Sequence, residues 1–179
     1  MFYRLSILSE SHFTQEDEQF MRRAIELAQR AEAEGEVPVG ALLVKDGQVI
    51  AEGWNRSISA HDATAHAEIQ TLRQAGQVVE NYRLLDTTLY VTLEPCPMCA
   101  GALLHSRVKR IVFGAPDLKA GAAGTVLNLF ASQAAYHYAV VESGLLEDEC
   151  RSQLQAFFKR RRKEIKARKQ AQKALGNEQ

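Results

Sequence analysis

Two short stretches restrict this chain more than any others: TAHAEIQTLR at residues 64–73 and TLEPCPMCAGALLHS at residues 92–106. In the first, His66 and Glu68 are two residues apart; in the second, Cys96 and Cys99 are three apart. Residues two apart in mid-helix point to nearly opposite sides, so a histidine and a carboxylate serving one site must lie in a helix's first turn. Cysteines three apart share a helix face, and Pro95 and Pro97 favour a helix start at that point. A helix N-terminus also lowers thiol pKa and favours thiolate ligands. The spacing therefore predicts two helix N-termini converging on one metal ion. His66, Cys96 and Cys99 supply three ligands of a type zinc favours, and three protein ligands leave one position open, as in catalytic rather than structural sites. Glu68 is left over for proton transfer, which points to a zinc hydrolase.

Around these stretches the chain reads as one domain over residues 1–179, with a core at about 14–158 and a basic helical extension at about 159–173. Apolar residues recur at helical spacing over 14–34, with Thr14 as cap, three acids in the first turn and Gly35 as the stop. VPVGALLVKDGQVIAEGWN predicts two strands joined at Asp46-Gly47. Both strands are nearly all apolar, so both are expected to be buried on two faces, with helices above and below. A polar loop over 56–63 leads to a helix over about 65–75, stopped at Gly76. Strand, helix and strand follow at 87–93, 97–105 and 110–113, the pattern of a parallel, right-handed crossover. KAGAAG at 119–124 reads as a loop. A short helical stretch near 126–130, a strand near 138–141 and a long helix from about 147 complete the chain. The expected fold is a three-layer α/β/α domain around a central mixed five-stranded sheet.

Net charge is zero, but nine basic residues against Glu164 alone fall within residues 159–173, so a basic tail follows an acidic body. The three cysteines are an odd number, two of them in C-x-x-C, which in a reducing compartment means metal or redox chemistry rather than a structural disulfide. Cys150 reads as a half-buried ordinary thiol. The first dozen residues lack a leader's apolar region and cleavage site, and no apolar run reaches the ~20 residues a membrane span needs, so the expectation is a cytoplasmic protein without a membrane partner.

H-x-E followed by P-C-x-x-C is the signature of the zinc nucleobase deaminases. With EVPVGALLV, GWNR, HDATAHAEI, NYRL, TLYVTLEPCPMCAGALLHSR, VFGAPDLKAGAAG and FFKRRRKEIKA beside it, the chain resembles the bacterial tRNA-specific adenosine deaminases of the cytidine deaminase superfamily. The resemblance implies the cytidine-deaminase-like fold and a homodimer with one zinc per subunit. It also implies hydrolysis of the wobble adenosine of a tRNA anticodon stem-loop to inosine, with release of ammonia. Carried over by position, His66, Cys96 and Cys99 match the zinc ligands, Glu68 the general acid/base, Asn55 a base-contacting asparagine and Asp117 an aspartate near the substrate loop. Pro116 departs from the pattern, standing where that family often has a basic residue.

From the residues alone, Asn55 reads equally as a turn former and Asp117 as a turn or helix cap. His105 is left outside the metal shell, and Trp54 and Phe113 read as core. The KAGAAG loop has either a phosphate or nothing but a turn to explain its small residues. The basic tail is a solvated face or an RNA contact, the latter favoured by Phe157 and Phe158 as candidate stacking groups. Three other readings compete. The first is a guanine or other free-base deaminase, against which the basic tail stands. The second is a zinc-containing, non-catalytic RNA-binding domain, against which stand the missing fourth ligand and Glu68. The third is a C-x-x-C redox protein, for which His66 and Glu68 have no use.

Overall fold

In the computed structural model, residues 13–132 and 137–176 are described, with side chains through residue 173. The reading of the first dozen residues as lacking a leader lies outside them. Thr14 starts the first helix through a reciprocal cap: its hydroxyl accepts from the Asp17 amide at 3.0 Å, and the Asp17 carboxylate accepts from the Thr14 amide at 2.9 Å. Helix α1 (Gln15–Ala33) buries Met21, Ala24, Leu27, Ala28 and Ala31 and ends ahead of Gly35, whose φ of +82° lets the chain turn away. Strands β1 (Gly40–Lys45) and β2 (Gln48–Trp54) form the predicted hairpin. Asp46 and Gly47 both have positive φ, 49° and 73°, as the two central residues of the favoured tight hairpin turn must.

The remaining elements are α2 (Ala67–Val78), β3 (Thr87–Leu93), α3 (Pro97–His105), β4 (Arg110–Ala115), β5 (Val140–Ser143) and α4 (Glu147–Gly176). The five strands lie in the order β2-β1-β3-β4-β5. β1 runs antiparallel to both neighbours, whereas β3, β4 and β5 are mutually parallel, which makes the sheet mixed as expected. Leu43 pairs with Leu89, and Leu89 with Ile111, so apolar residues line up across three central strands. Alternation divides them between two cores. Leu43, Leu89, Val91, Ile111 and Phe113 pack against α2 and α3 through Leu72, Ala75, Leu103 and Leu104. On the opposite face Leu42, Val44, Tyr90 and Val112 meet Met21, Ala24 and Leu27 of α1, with Cys150 of α4 beside them. Burial of each Leu, Val, Ile, Phe and Met among these contributes roughly 1.5–3 kcal/mol.

Four local expectations are corrected. β2 is an edge strand with only two of its seven residues buried, not a strand covered on both faces. Its apolar composition misleads because the packing covers only the later part of the strand, burying Ala51 and Gly53, and leaves Gln48 and Val49 in solvent. Residues 126–130 form no helix; they fold back so that Ala123 bridges Asn128. Gly76 does not stop α2: a glycine costs about 1 kcal/mol in a helix, and burial of Leu72 and Ala75 carries the helix past it. Cys150 is wholly buried, and burial pushes its thiol up to about 12. Two smaller differences concern Val140–Ser143, two residues later than expected, and Trp54. The indole is half-buried, donating to Glu34 at 3.0 Å under the Arg30 guanidinium, whereas Phe113 is core.

One stabilising feature has no counterpart in the apolar pattern. Arg110 donates to Asp17 at 2.6 Å and to Glu142 at 2.5 Å, and the Tyr90 hydroxyl donates to Asp17 at 2.6 Å. Burial alone would raise the Asp17 carboxyl, but the bonds from Arg110, Tyr90 and Thr14 hold it well below the usual carboxylate range. The network pins α1 to β3, β4 and β5. Among the described residues no helix is long and apolar enough to cross a membrane.

Candidate metal-dependent active site

Both motif stretches deliver their ligands at the starts of helices. His66 is the N-cap residue of α2, with extended backbone (φ −75°, ψ 156°) and no capping bond from its side chain, which leaves the ring available. Glu68, in the first turn of α2, is buried. Cys96 is the N-cap of α3, Pro97 opens the helix, and Cys99 follows in its first turn. The N-termini of α2 and α3 meet at the carboxyl end of β3. Nδ1 of His66 lies 3.6 Å from Sγ of both cysteines, and all three ligand atoms fall within 4.8 Å of one another.

This spacing fits zinc. Tetrahedral coordination with zinc–sulfur bonds of about 2.3 Å and a zinc–nitrogen bond of about 2.0 Å puts such a nitrogen and sulfur roughly 3.6 Å apart. The donor set agrees. Hydrogen bonding by Cys99 and then by His66, acting against burial, brings Cys96 down to about 4, so one thiolate is favoured already. Cys99 is driven up by sharing its proton with Cys96 and by burial, and would give that proton up on binding a cation. Burial pushes the Glu68 carboxyl up to about 7, assisted by the charge on Cys96 and opposed by His66 and Cys99.

The three candidate ligand residues and Glu68 are thus brought together; Asn55 and Asp117 occupy the walls around them. Asn55, at the end of β2, accepts from the Ala67 amide at 2.9 Å and donates to the Val37 carbonyl at 3.2 Å. It caps α2 from a neighbouring element, one residue after His66. Asp117 is a turn former: its carboxylate accepts from the Lys119 and Ala120 amides at 2.9 and 3.2 Å. His105 lies at the far end of α3, exposed and outside the cluster.

Two buried carboxylates escape motif reading. Glu94 accepts from the amides of Asp117 at 3.0 Å, Ala123 at 2.9 Å and Thr125 at 3.1 Å, and so gathers the whole loop after β4 around one side chain. A Cβ added at Gly121 would sit 2.3 Å from a Glu94 oxygen, which explains the small residues of KAGAAG without a phosphate. On the other side Glu36 accepts from Ile58 at 3.1 Å and Ser59 at 2.7 Å. Each glutamate holds one lip of a cleft of about 1220 Å³, whose floor carries His66, Glu68 and Cys96. The available signal was a charged residue set directly against the apolar strands, before Pro95 and after Gly35. The third wall is α4, which presents Leu154, Phe158 and Arg162 to the cleft.

Comparison with known proteins agrees with this geometry. Residues 14–115 match the cytidine and deoxycytidylate deaminase zinc-binding region. The chain is 54% identical over 162 residues to the tRNA-specific adenosine deaminase of Haemophilus influenzae, covering 90% of this chain and 94% of that protein. Among solved structures it is similar to one from a study of A-to-I editing by tRNA:A34 deaminases at the wobble position. There the TM-score is 0.74 at 43% identity, over 76% of this chain and 99% of the other. Similarity to guanine deaminase from Bacillus subtilis is less extensive: a TM-score of 0.55 at 41% identity, over 63% of this chain and 71% of the other.

Proposed function

We infer, from the premise that this chain belongs to the bacterial tRNA-specific adenosine deaminases of the cytidine and deoxycytidylate deaminase family, that it hydrolyses the wobble adenosine of a tRNA anticodon to inosine and releases ammonia. The observation that carries this reading is a buried carboxylate, Glu68, beside a three-donor cluster at the floor of an open cleft. His66, Cys96 and Cys99 would hold a zinc ion, whose Lewis acidity would make a water nucleophilic near neutral pH. Glu68 would carry two protons in turn: one from the water to a ring nitrogen as the water oxygen adds to the amine-bearing carbon, and then that of the new hydroxyl to the amine, which leaves as ammonia. Asn55 retains one N–H and one carbonyl lone pair beyond its two backbone bonds, enough to contact a base edge. Asp117 shapes the opposite lip. An anticodon loop is already unpaired, so moving its adenosine into the cleft costs less than extrusion from a duplex. Free guanine is not the favoured substrate, because similarity to the adenosine deaminases is the more extensive.

The reading is tested by incubating the zinc-loaded protein with an anticodon stem-loop carrying adenosine at the wobble position, and separately with guanine, adenosine and cytidine. Inosine in the RNA alone is the expected result; turnover of free guanine without inosine in the RNA overturns it. The resemblance also supports a homodimer, for which light scattering on the same sample should return the mass of two chains and not one. The thiolate ligands suit a reducing compartment, so the protein is placed in the cytoplasm; recovery with membranes on fractionation counts against this.

Glu94 is a positioning residue in this scheme, since its oxygens are taken up by the loop's amides. Glu94→Gln replaces one acceptor oxygen by an amide NH2, a donor facing a backbone N–H. The expected result is a KM for the stem-loop raised by roughly tenfold, the equivalent of one lost buried hydrogen bond, with zinc content unchanged. An unchanged KM, or loss of zinc, would contradict the assignment.

A further inference from the structure

Helix α4 does more than close the cleft. Its contacts with the body centre on Cys150, Leu154 and Phe157, and from Phe158 to Lys173 every residue is exposed. At 100° per residue, Arg151, Gln155 and Phe158, which line the cleft, share a face with Arg162. The same face continues past the body through Lys166, Lys169 and Lys173, which line a shallow groove that also begins at Arg162. One stripe thus runs from the cleft mouth to the end of the described side chains, reaching roughly 16 Å beyond Arg162 at 1.5 Å per residue.

The stripe changes chemistry along its length. At the cleft it carries the aromatic Phe158; beyond Arg162 it carries cations around Ile165. Off the stripe, Arg160 is engaged with Glu32 and Glu164, and Arg161 with Glu164. None of Arg162, Lys166, Lys169 and Lys173 has a carboxylate partner among the described residues. Cations aligned on one face and left unpaired suit a partner with regularly spaced negative charge, and aromatic groups confined to the cleft leave the distal part without a means of reading bases.

We propose that the distal face of α4, Lys166, Lys169 and Lys173 leading out from Arg162, is a sequence-independent docking surface for the backbone phosphates of the RNA stem whose unpaired loop enters the cleft. The proposal rests on the RNA-deaminase reading and adds where the rest of the substrate lies. It differs from a general attraction between a basic tail and RNA because it assigns the contact to one face of the helix.

Two triple variants of the zinc-loaded full chain test it: K166Q/K169Q/K173Q on the face, and R161Q/K163Q/R168Q off it. Each removes three charges from exposed positions and substitutes a good helix former. Binding of the anticodon stem-loop is measured against salt. The on-face variant should lose about 2 from the slope of log K against log salt and on the order of tenfold or more in affinity at low salt, with the off-face variant close to wild type. Equal losses in both variants would show that only net charge matters, and no loss in either would show a solvated face; each result overturns the proposal. Loss of binding to anionic phospholipid vesicles without loss of RNA binding would also overturn it, in favour of a membrane surface. If the wild type binds the stem-loop with the expected face dependence yet makes no inosine, the deaminase reading fails and the docking surface stands.

Discussion

Replacing Glu68 with alanine should abolish deamination and leave the zinc in place. Glu68 is 4% exposed, sits in the first turn of α2 and is not among the three residues whose ligand atoms cluster. Its removal therefore spares His66, Cys96 and Cys99. What it takes away is the only carboxylate placed to move protons at the floor of the cleft among the described residues lining it, since Glu36 and Glu94 are occupied by backbone amides and Asp117 stands on the lip, accepting from Lys119 and Ala120. General acid–base catalysis contributes on the order of 10²–10⁴ in rate, and here one group serves both the water and the leaving amine, so the upper part of that range is expected. Glu68→Gln separates proton transfer from packing, because the amide keeps the volume and cannot carry the proton; it should be as inactive as the alanine variant. Single-turnover inosine formation and metal analysis read the two properties independently. Activity retained in Glu68→Gln would remove Glu68 from its role.

Cys96→Ala should fail for a different reason, by losing the metal. Cys96 is the donor held closest to its thiolate form, and its replacement leaves a single sulfur and an imidazole, too few to retain zinc through dialysis. Metal content well below one equivalent and no inosine are expected. The site joins the starts of α2 and α3, so a zinc ion held there would also stabilise the folded chain; at a thousandfold excess over its dissociation constant a ligand adds about 4 kcal/mol. A chelator should therefore lower the melting temperature of the wild type and leave that of Cys96→Ala unmoved. A variant that kept a full equivalent of zinc would exclude Cys96 from the ligand set.

Much of this was legible in the sequence because the physics involved is local. Thr14, Gly35, Asp46-Gly47 and Pro97 act through their own backbone conformation and first-turn hydrogen bonds, and the elements they bound appear where expected. The same holds for the two motifs: residues two apart can share a site only at a helix start, and both His66 and Cys96 prove to be N-cap residues. Local reasoning failed where a neighbour distant in sequence decides. β2 has the composition of a buried strand and lies at an edge, and residues 126–130 carry helical spacing yet wrap onto the loop that Glu94 organises. Gly76 was expected to end a helix that side-chain burial carries onward.

The sequence by itself determined which groups meet, two thiols, an imidazole and a carboxylate, together with the layering that alternation and helical periodicity impose. Only the tertiary structure decided which groups surround that site. Glu94 and Glu36 take their roles from amides 22 to 31 residues away, Asn55 from the start of a helix twelve residues on, and Arg162 from its place at the junction of cleft and exposed helix. A side chain's identity sets what it can donate or accept. Which partner it meets depends on chain closure between remote segments, and that information resides in the folded packing of the sheet and its helices.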